Sequence, residues 1–297
     1  MSRNNADRLG AAAPNADPPV VPPMVDNSDT NFQNGFVDAS TGPLSYSVPT
    51  EIITIPSLGR YYPEGHPLCG IEEIEIRHMT AKDEDVLNSR TLLKKGIAVD
   101  RLLQGVIVDK RIKLDSLLVG DKNALIVATR VTGYGEDYDT KITCPSCATV
   151  GDHSFDLDDA VVMNHGGDVE GVTFVGENIF SLTLPRTGMP VEVRLLTGDD
   201  EKKLLKMTQK KQNHKLPDSP LTDQFKAFIV SVDGNTNRQD INRFIDIMPA
   251  LDGRYLRTTY AKIMPNIELK HPYDCEGCGY EQVIDIPFTV DFFWPRR

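Results

Sequence analysis

No apolar run in the 297 residues approaches the roughly 20 needed to span a bilayer, so a membrane role is not expected. A basic-then-apolar leader is missing as well, which points to a soluble protein made in a reducing cytoplasm. Positive charge is scarce: 32 Lys and Arg stand against 43 Asp and Glu, a formal net charge of −11. Phosphate recognition leans on clustered Lys and Arg, and that balance argues against a nucleic-acid groove. The one basic run, Lys202, Lys203, Lys206, Lys210 and Lys211, follows a helix start and reads as a solvated face. Catalytic signatures are also absent. Gly133-Tyr134-Gly135 lacks the third glycine of a phosphate loop, and no serine or cysteine nucleophile has an evident histidine partner. Asp233 to Asn237 imitates a calcium loop, but Arg238 and Phe244 stand where glycine and glutamate are needed, so it reads as a turn. No small-molecule substrate is expected.

What the chain does have is two cysteine pairs, Cys144-Pro-Ser-Cys147 and Cys275-Glu-Gly-Cys278. A CxxC turn offers two thiolates from one knuckle, and two knuckles complete the tetrahedral shell of a zinc ion. Four protein ligands leave no open position for water, so such a zinc would be structural. The competing readings are redox CxxC motifs, which need a strand-to-helix setting, and disulfides, which need an oxidising compartment. His153 and His271 lie near the knuckles but are not needed as ligands, and Cys69 reads as a small buried hydrophobe.

The segments preceding the knuckles resemble each other. Ile74-Glu-Ile-Arg77 followed by Thr80 to Leu87 matches Val191-Glu-Val-Arg194 followed by Thr197 to Leu204, 117 residues on. The knuckles themselves are 131 residues apart, and the difference of 14 fits one insertion between Lys210 and Asp223. The openings agree too, Ile55-Pro-Ser-Leu-Gly59 against Leu184-Pro-Arg-Thr-Gly188. A repeat this long is a tandem duplication of a small domain, not a solenoid unit. The fold class expected is α+β, with strand, helices, knuckle and strand in each half and one four-cysteine zinc site shared between them. Residues 50–183 form the first repeat and 184–297 the second. Residues 1–49, rich in Asn, Asp, Ala and Pro, read as a disordered or extended arm.

Period-two alternation at Ile74/Ile76 and Val191/Val193 predicts a strand before each helix. Thr80 with Asp83, and Thr197 with Asp200, predict acidic capping boxes. The carboxylates at both helix starts complement the helix dipole, which is why they are not read as an acid catalytic cluster. Further helix is expected around Leu92 to Ile107, Leu117 to Val127, Phe225 to Val232, Ile241 to Ile245 and Leu256 to Ile263. Strands are expected before each knuckle, at Tyr138 to Thr143 and Asn266 to Tyr273, and after it, at Ser154 to Leu157 and Gln282 to Ile286. The aromatic end offers two readings. Either Phe288, Val290 and Phe292 complete a core, or the terminal aromatics Phe292, Phe293 and Trp294 bind a partner, with Phe293 and Trp294 projecting.

Taken in order, Ile55-Pro-Ser-Leu-Gly-Arg-Tyr-Tyr-Pro63, Met79 to Asp85, Lys94 to Asp100, Gly120 to Asn123, Gly133-Tyr-Gly135, both knuckles, Val230 to Gly234 and Phe292-Phe-Trp-Pro295 resemble the baseplate hub (central spike complex) proteins of T-even-type contractile-tailed bacteriophages. The resemblance spans about Thr50 to Pro295. It implies a non-enzymatic virion or assembly role in the tail baseplate, with hub, tube or wedge proteins as partners. Two other roles stay open: a tail-assembly chaperone absent from the mature virion, and, more remotely, a zinc-ribbon nucleic-acid adaptor.

Overall fold

Local chemistry starts a helix twice in the same way. A strand, β2 (Glu73–Arg77), leads into α1 (Ala81–Asn88), and β8 (Pro190–Arg194) leads into α6 (Gly198–Asn213). The expected capping boxes are present at both. The Asp83 carboxylate accepts from the Thr80 amide at 2.8 Å, and Asp200 accepts from the Thr197 amide at 3.0 Å. Each carboxylate is also gripped by the arginine that ends the preceding strand. Arg77 donates to Asp83 at 2.6 and 2.9 Å, and Arg194 donates to Asp200 with both bonds at 2.7 Å. One carboxylate thus fixes the strand-to-helix angle and satisfies orphan helix donors.

The structure, a computed structural model, describes residues 47–167, 169–214, 217, 219–286 and 292–294. Most of the expected arm, residues 1–46, lies outside them. Residues 48–297 form one unit. Its chain runs β1 (Thr50–Thr54), β2, α1, α2 (Arg90–Lys95), α3 (Ala98–Val106), α4 (Val119–Tyr134), β3 (Asp137–Thr143), β4 (Val150–Asp156), α5 (Leu157–Ala160) and β5 (Val161–Asn164). It continues through β6 (Val172–Gly176), β7 (Ile179–Thr183), β8, α6, α7 (Pro220–Phe228), β9 (Ile229–Val232), α8 (Arg238–Ile247), α9 (Ala250–Ile263), β10 (Asn266–Asp274) and β11 (Glu281–Asp285). The fold is α+β, as expected. Strands pair as β1-β2, β3-β4, β6-β7-β8-β9 and β11-β10-β5.

The two stretches pass through matching elements. β1-β2 answers β7-β8, α1 answers α6, α4 answers α9, and the hairpin β3-β4 answers β10-β11. Buried aspartates hold the matching turns: Asp121 on α4 accepts from the Ser57 amide and hydroxyl, and Asp252 on α9 accepts from the Arg186 and Thr187 amides. The boundary drawn between 183 and 184 falls inside the β7-β8 hairpin, whose pairing ties the whole of β7 to the second stretch.

The cores are not one per stretch. One cluster joins Ile74, Ile76 and Leu117 to Val191, Val193 and Leu256; the other joins Leu102, Tyr138 and Phe155 to Ile267, Leu269 and Tyr273. The seam is tight at α4. The Val119 amide donates to Leu196, the Gly198 amide donates to Leu117, and a Cβ on Gly120 would stand 1.8 Å from the Pro265 carbonyl oxygen. Only glycine lets α4 lie this close to the start of β10. Lys122, buried on α4, reaches Asp100 at 3.0 Å and Glu201 at 2.7 Å, so one ammonium bonds both stretches.

Two residue types depart from expectation. Cys69, read as a buried hydrophobe, is exposed, because it sits in the turn-rich excursion between β1 and β2 whose buried members are Tyr61, Tyr62 and Leu68. Phe292 and Phe293 are buried in the second cluster, so within the chain they fill the core and do not project. Arg130, itself 1% exposed, explains their placement: it donates to the carbonyls of Phe292 (2.7 Å), Gly135 (2.5 Å) and Asp137 (2.7 Å). Phe288 and Val290 lie outside the described residues.

Removing the Arg130 guanidinium leaves three carbonyls without their donor, so Arg130→Leu should cost about 3 kcal/mol or more in urea unfolding. Burial alone would raise the Asp200 carboxyl, but the Arg194 guanidinium and the Thr197 amide outweigh it and hold the group at about 2, against an ordinary 3.8. Its stabilising effect is therefore complete above about pH 4 and lost as pH falls through about 2. Asp200→Asn should unfold more readily than the parent at pH 7, with the gap narrowing below about pH 4. A gap that stayed constant with pH would contradict the assignment.

Candidate metal centre

Each cysteine pair sits at the tip of a hairpin. β3 ends at Thr143 and β4 resumes at Val150; β10 ends at Asp274 and β11 resumes at Glu281. The knuckles close alike. The Cys144 amide donates to the Thr149 carbonyl and the Ala148 amide to Cys144, while the Cys275 amide donates to Tyr280 and the Gly279 amide to Cys275. Both turns need a left-handed residue, Gly279 at φ 66° and Ala148 at φ 58°. An alanine there costs about 1 kcal/mol, which the first knuckle sustains.

Packing of α4 against β10 brings the two tips together. Cys144 Sγ lies 3.8 Å from Cys278 Sγ, Cys147 Sγ lies 3.7 Å from Cys275 Sγ, and all four sulfurs fall within 4.8 Å of one another. A tetrahedron with Zn–S bonds of about 2.3 Å has sulfur–sulfur edges of about 3.8 Å. The spacing also excludes disulfides in this arrangement, since a bonded pair stands about 2.05 Å apart. The crossed pairing, first cysteine with fourth and second with third, relates the knuckles by a local twofold. Cys144 and Cys275 are buried, and Cys147 and Cys278 face outward. The donor set fits zinc: soft thiolates, tetrahedral spacing and no fifth group in place.

The thiols are primed unequally. The Thr149 hydroxyl, 3.2 Å from Cys147 Sγ, and the Thr149 amide hold the Cys147 thiol down at about 6. Hydrogen bonding with the Cys147 sulfur, and then desolvation, push the Cys278 thiol up to about 12. Burial acts to raise Cys275, but the Gly277 and Cys278 amides outweigh it and lower its pKa. A bound divalent cation would take all four as thiolates and release the remaining protons.

All four cysteines singled out from sequence are thus together, and neither neighbouring histidine joins them. His153 packs against Phe155 and Tyr273, and the His271 ring nitrogen lies 2.6 Å from the Pro272 carbonyl oxygen. Sequence reasoning missed Thr149 and the aromatic collar of Tyr273 and Phe155, because neither carries a spacing signature. Of the terminal aromatics, Phe292 stacks edge-on against Tyr138 at 5.1 Å on the buried side of this hairpin, and Trp294 donates to Asn88 at 3.2 Å. The setting of each CxxC is strand-turn-strand, unlike the strand-to-helix turn of redox motifs.

No helix among the described residues is long and apolar enough to cross a membrane. Among known proteins, no curated sequence and no solved structure matches the chain. A family model does match: the one described as T4 bacteriophage base plate protein covers residues 50–294, which takes in both hairpins, both cores and Trp294. The chain with this paired-knuckle centre belongs to the T4 bacteriophage base plate protein family.

Proposed function

We propose that the protein is a non-enzymatic structural component of the hub region of a contractile phage tail baseplate, in which one zinc ion clips together the two halves of a duplicated chain. The observation that carries the proposal is the set of sulfur spacings, 3.7 and 3.8 Å, between hairpins drawn from opposite halves of a baseplate-family chain. Duplication is supported by the matched element order, by the two arginine-gripped capping boxes and by the paired turn aspartates Asp121 and Asp252. Catalysis has no place in this reading, because four thiolates saturate the metal and leave no site for water. The protein works as building material, with other hub, tube or wedge subunits as its partners and the virion tail as its location. Trp294 keeps exposed surface that a neighbour can cover, whereas Phe292 and Phe293 support it from within.

A zinc clip at this position contributes on the order of 10 kcal/mol to folding. Elemental analysis of the purified chain should find one zinc per molecule. Cys144→Ser and Cys278→Ser should each reduce that content and lower the melting temperature, and a strong chelator should reproduce the loss in the parent. A double variant that kept full thermal stability would overturn the clip.

Quantitative mass spectrometry of purified phage tails should find the protein in fixed ratio to other baseplate subunits. Its presence in assembling tails but absence from finished ones would instead make it an assembly chaperone.

A further inference from the structure

The chain's negative charge is concentrated at one end. Residues 136–159 and 268–285, which include the two zinc hairpins, carry twelve carboxylates and two lysines, a formal charge of −10 in a chain of −11. On the β3-β4 ribbon the pleat sorts these groups by face. Tyr138, Thr140 and Ile142 point inward, and Asp137, Asp139 and Lys141 point outward, opposite Asp156, Ser154 and Asp152 of β4. Asp137 stands opposite Asp156, whose carboxylate caps α5 by accepting from the Asp158 and Asp159 amides. The outer face ends at Val150, an apolar side chain left 56% exposed. Asp137 and Asp139 make no side-chain ion pair among the described residues.

The opposite chemistry stands on α6. This helix runs unbroken for 16 residues, where the first stretch has the 8-residue α1 followed by the separate, shorter α2. From Leu205 to Asn213 every side chain except Lys211, which bonds Asp223, is exposed. Between Lys202 and Lys211 the helix carries five lysines and no acid. Lys206 and Lys210 are one turn apart and make no ion pair among the described residues. Leu205 and Met207 accompany them at 57% and 43% exposure.

We propose that this free face of α6 docks on the outer face of β3-β4 of a second copy of the chain. The two surfaces are complementary in sign. They are also matched in spacing: Lys206 and Lys210 rise about 6 Å along the helix, and Asp137 and Asp139 lie about 6.8 Å apart along the strand. The contact joins different surfaces on the two copies, so it is heterologous and repeats into a ring or a stack. That geometry suits a component of a symmetric assembly, and it goes beyond the structural role proposed above.

Sedimentation velocity of the full, zinc-loaded chain tests this. Mass should rise with concentration at about 0.05 M salt and return toward the monomer at about 0.5 M, where charges are screened within a few ångströms. The double variants Lys206→Gln/Lys210→Gln and Asp137→Asn/Asp139→Asn should keep the parent melting temperature and weaken association about tenfold or more. Mixed in equal amounts, they should form one-to-one dimers and nothing larger, because each retains one intact surface. A chain that stays monomeric at low salt would overturn the proposal. So would self-association that neither double variant weakens. A salt-sensitive complex of the monomer with a DNA duplex, lost in Lys206→Gln/Lys210→Gln, would assign α6 to nucleic acid and overturn it too. Zinc content and presence in tails are read separately, so failure here leaves the baseplate reading untouched.

Discussion

Four sulfurs from hairpins 131 residues apart converge to within 4.8 Å of one another, and the packing beneath them sets that convergence. Each hairpin is a two-stranded ribbon, which is marginal in water unless it is packed or held. Their tips converge because α4 and β10 lie against each other, and that contact exists because residue 120 has no Cβ to strike the Pro265 carbonyl. The inner faces of both ribbons then close over one apolar cluster that already contains Cys144 and Cys275. Packing thus brings the ligands to within bonding geometry, and a metal ion would lock what packing has positioned. Loss of the ion would expose two ribbon tips and leave four thiols competing for protons.

Polar groups fix angles within each stretch, and one of them spans the two. Asp121 and Asp200 are both largely buried, yet their surroundings drive them in opposite directions. Burial dominates at Asp121, whose partners are the Ser57 hydroxyl and amide and the Tyr62 hydroxyl, and its pKa rises; the arginine beside Asp200 pulls that carboxyl down. The first arrangement ties a turn to a helix, and the second ties a strand to a helix start. Lys122 adds a third constraint by reaching carboxylates from both stretches. A buried ammonium with only one of these partners would be costly, so the seam has one satisfactory alignment. These contacts confer specificity of arrangement, while the apolar clusters supply most of the driving force.

What was legible in the sequence was local or chemically unmistakable. The capping boxes at Thr80 and Thr197 could be read because a threonine and an aspartate three residues apart report only on their own turn. The cysteine knuckles could be read because four soft ligands in two tight turns have few other uses in a reducing compartment. The α+β class followed from periodicity. Sharing of the cores across the two stretches was not legible, since apolar periodicity says which face is buried and not against what. The strand β5 went unread because its four residues are held by pairing with the distant β10, and β7 was overlooked although Phe180 and Leu182 alternate with Ser181 and Thr183. Ile229 and Val232, expected in a helix, lie in β9, because pairing with β8 overrides the apolar spacing. Burial of Phe293 was missed because the residue that secures the chain end, Arg130, lies more than 160 positions away.

The differences between the two stretches are as informative as the likeness. They diverge inside the shared core as well as at the surface. The first adds the excursion that buries Tyr61, Tyr62 and Leu68 and breaks its helix into α1 and α2, and the second adds a full α8, burying Ile241 and Ile245, where the first has a three-residue turn, Leu114–Ser116. Two fused halves with shared cores, crossed thiolates and a doubly bonded lysine have little freedom to hinge. Such a body transmits displacement from one face to another without absorbing it, and its unlike faces allow different neighbours on each side. That combination, stiffness inside with asymmetry outside, is consistent with the base plate family to which the chain belongs.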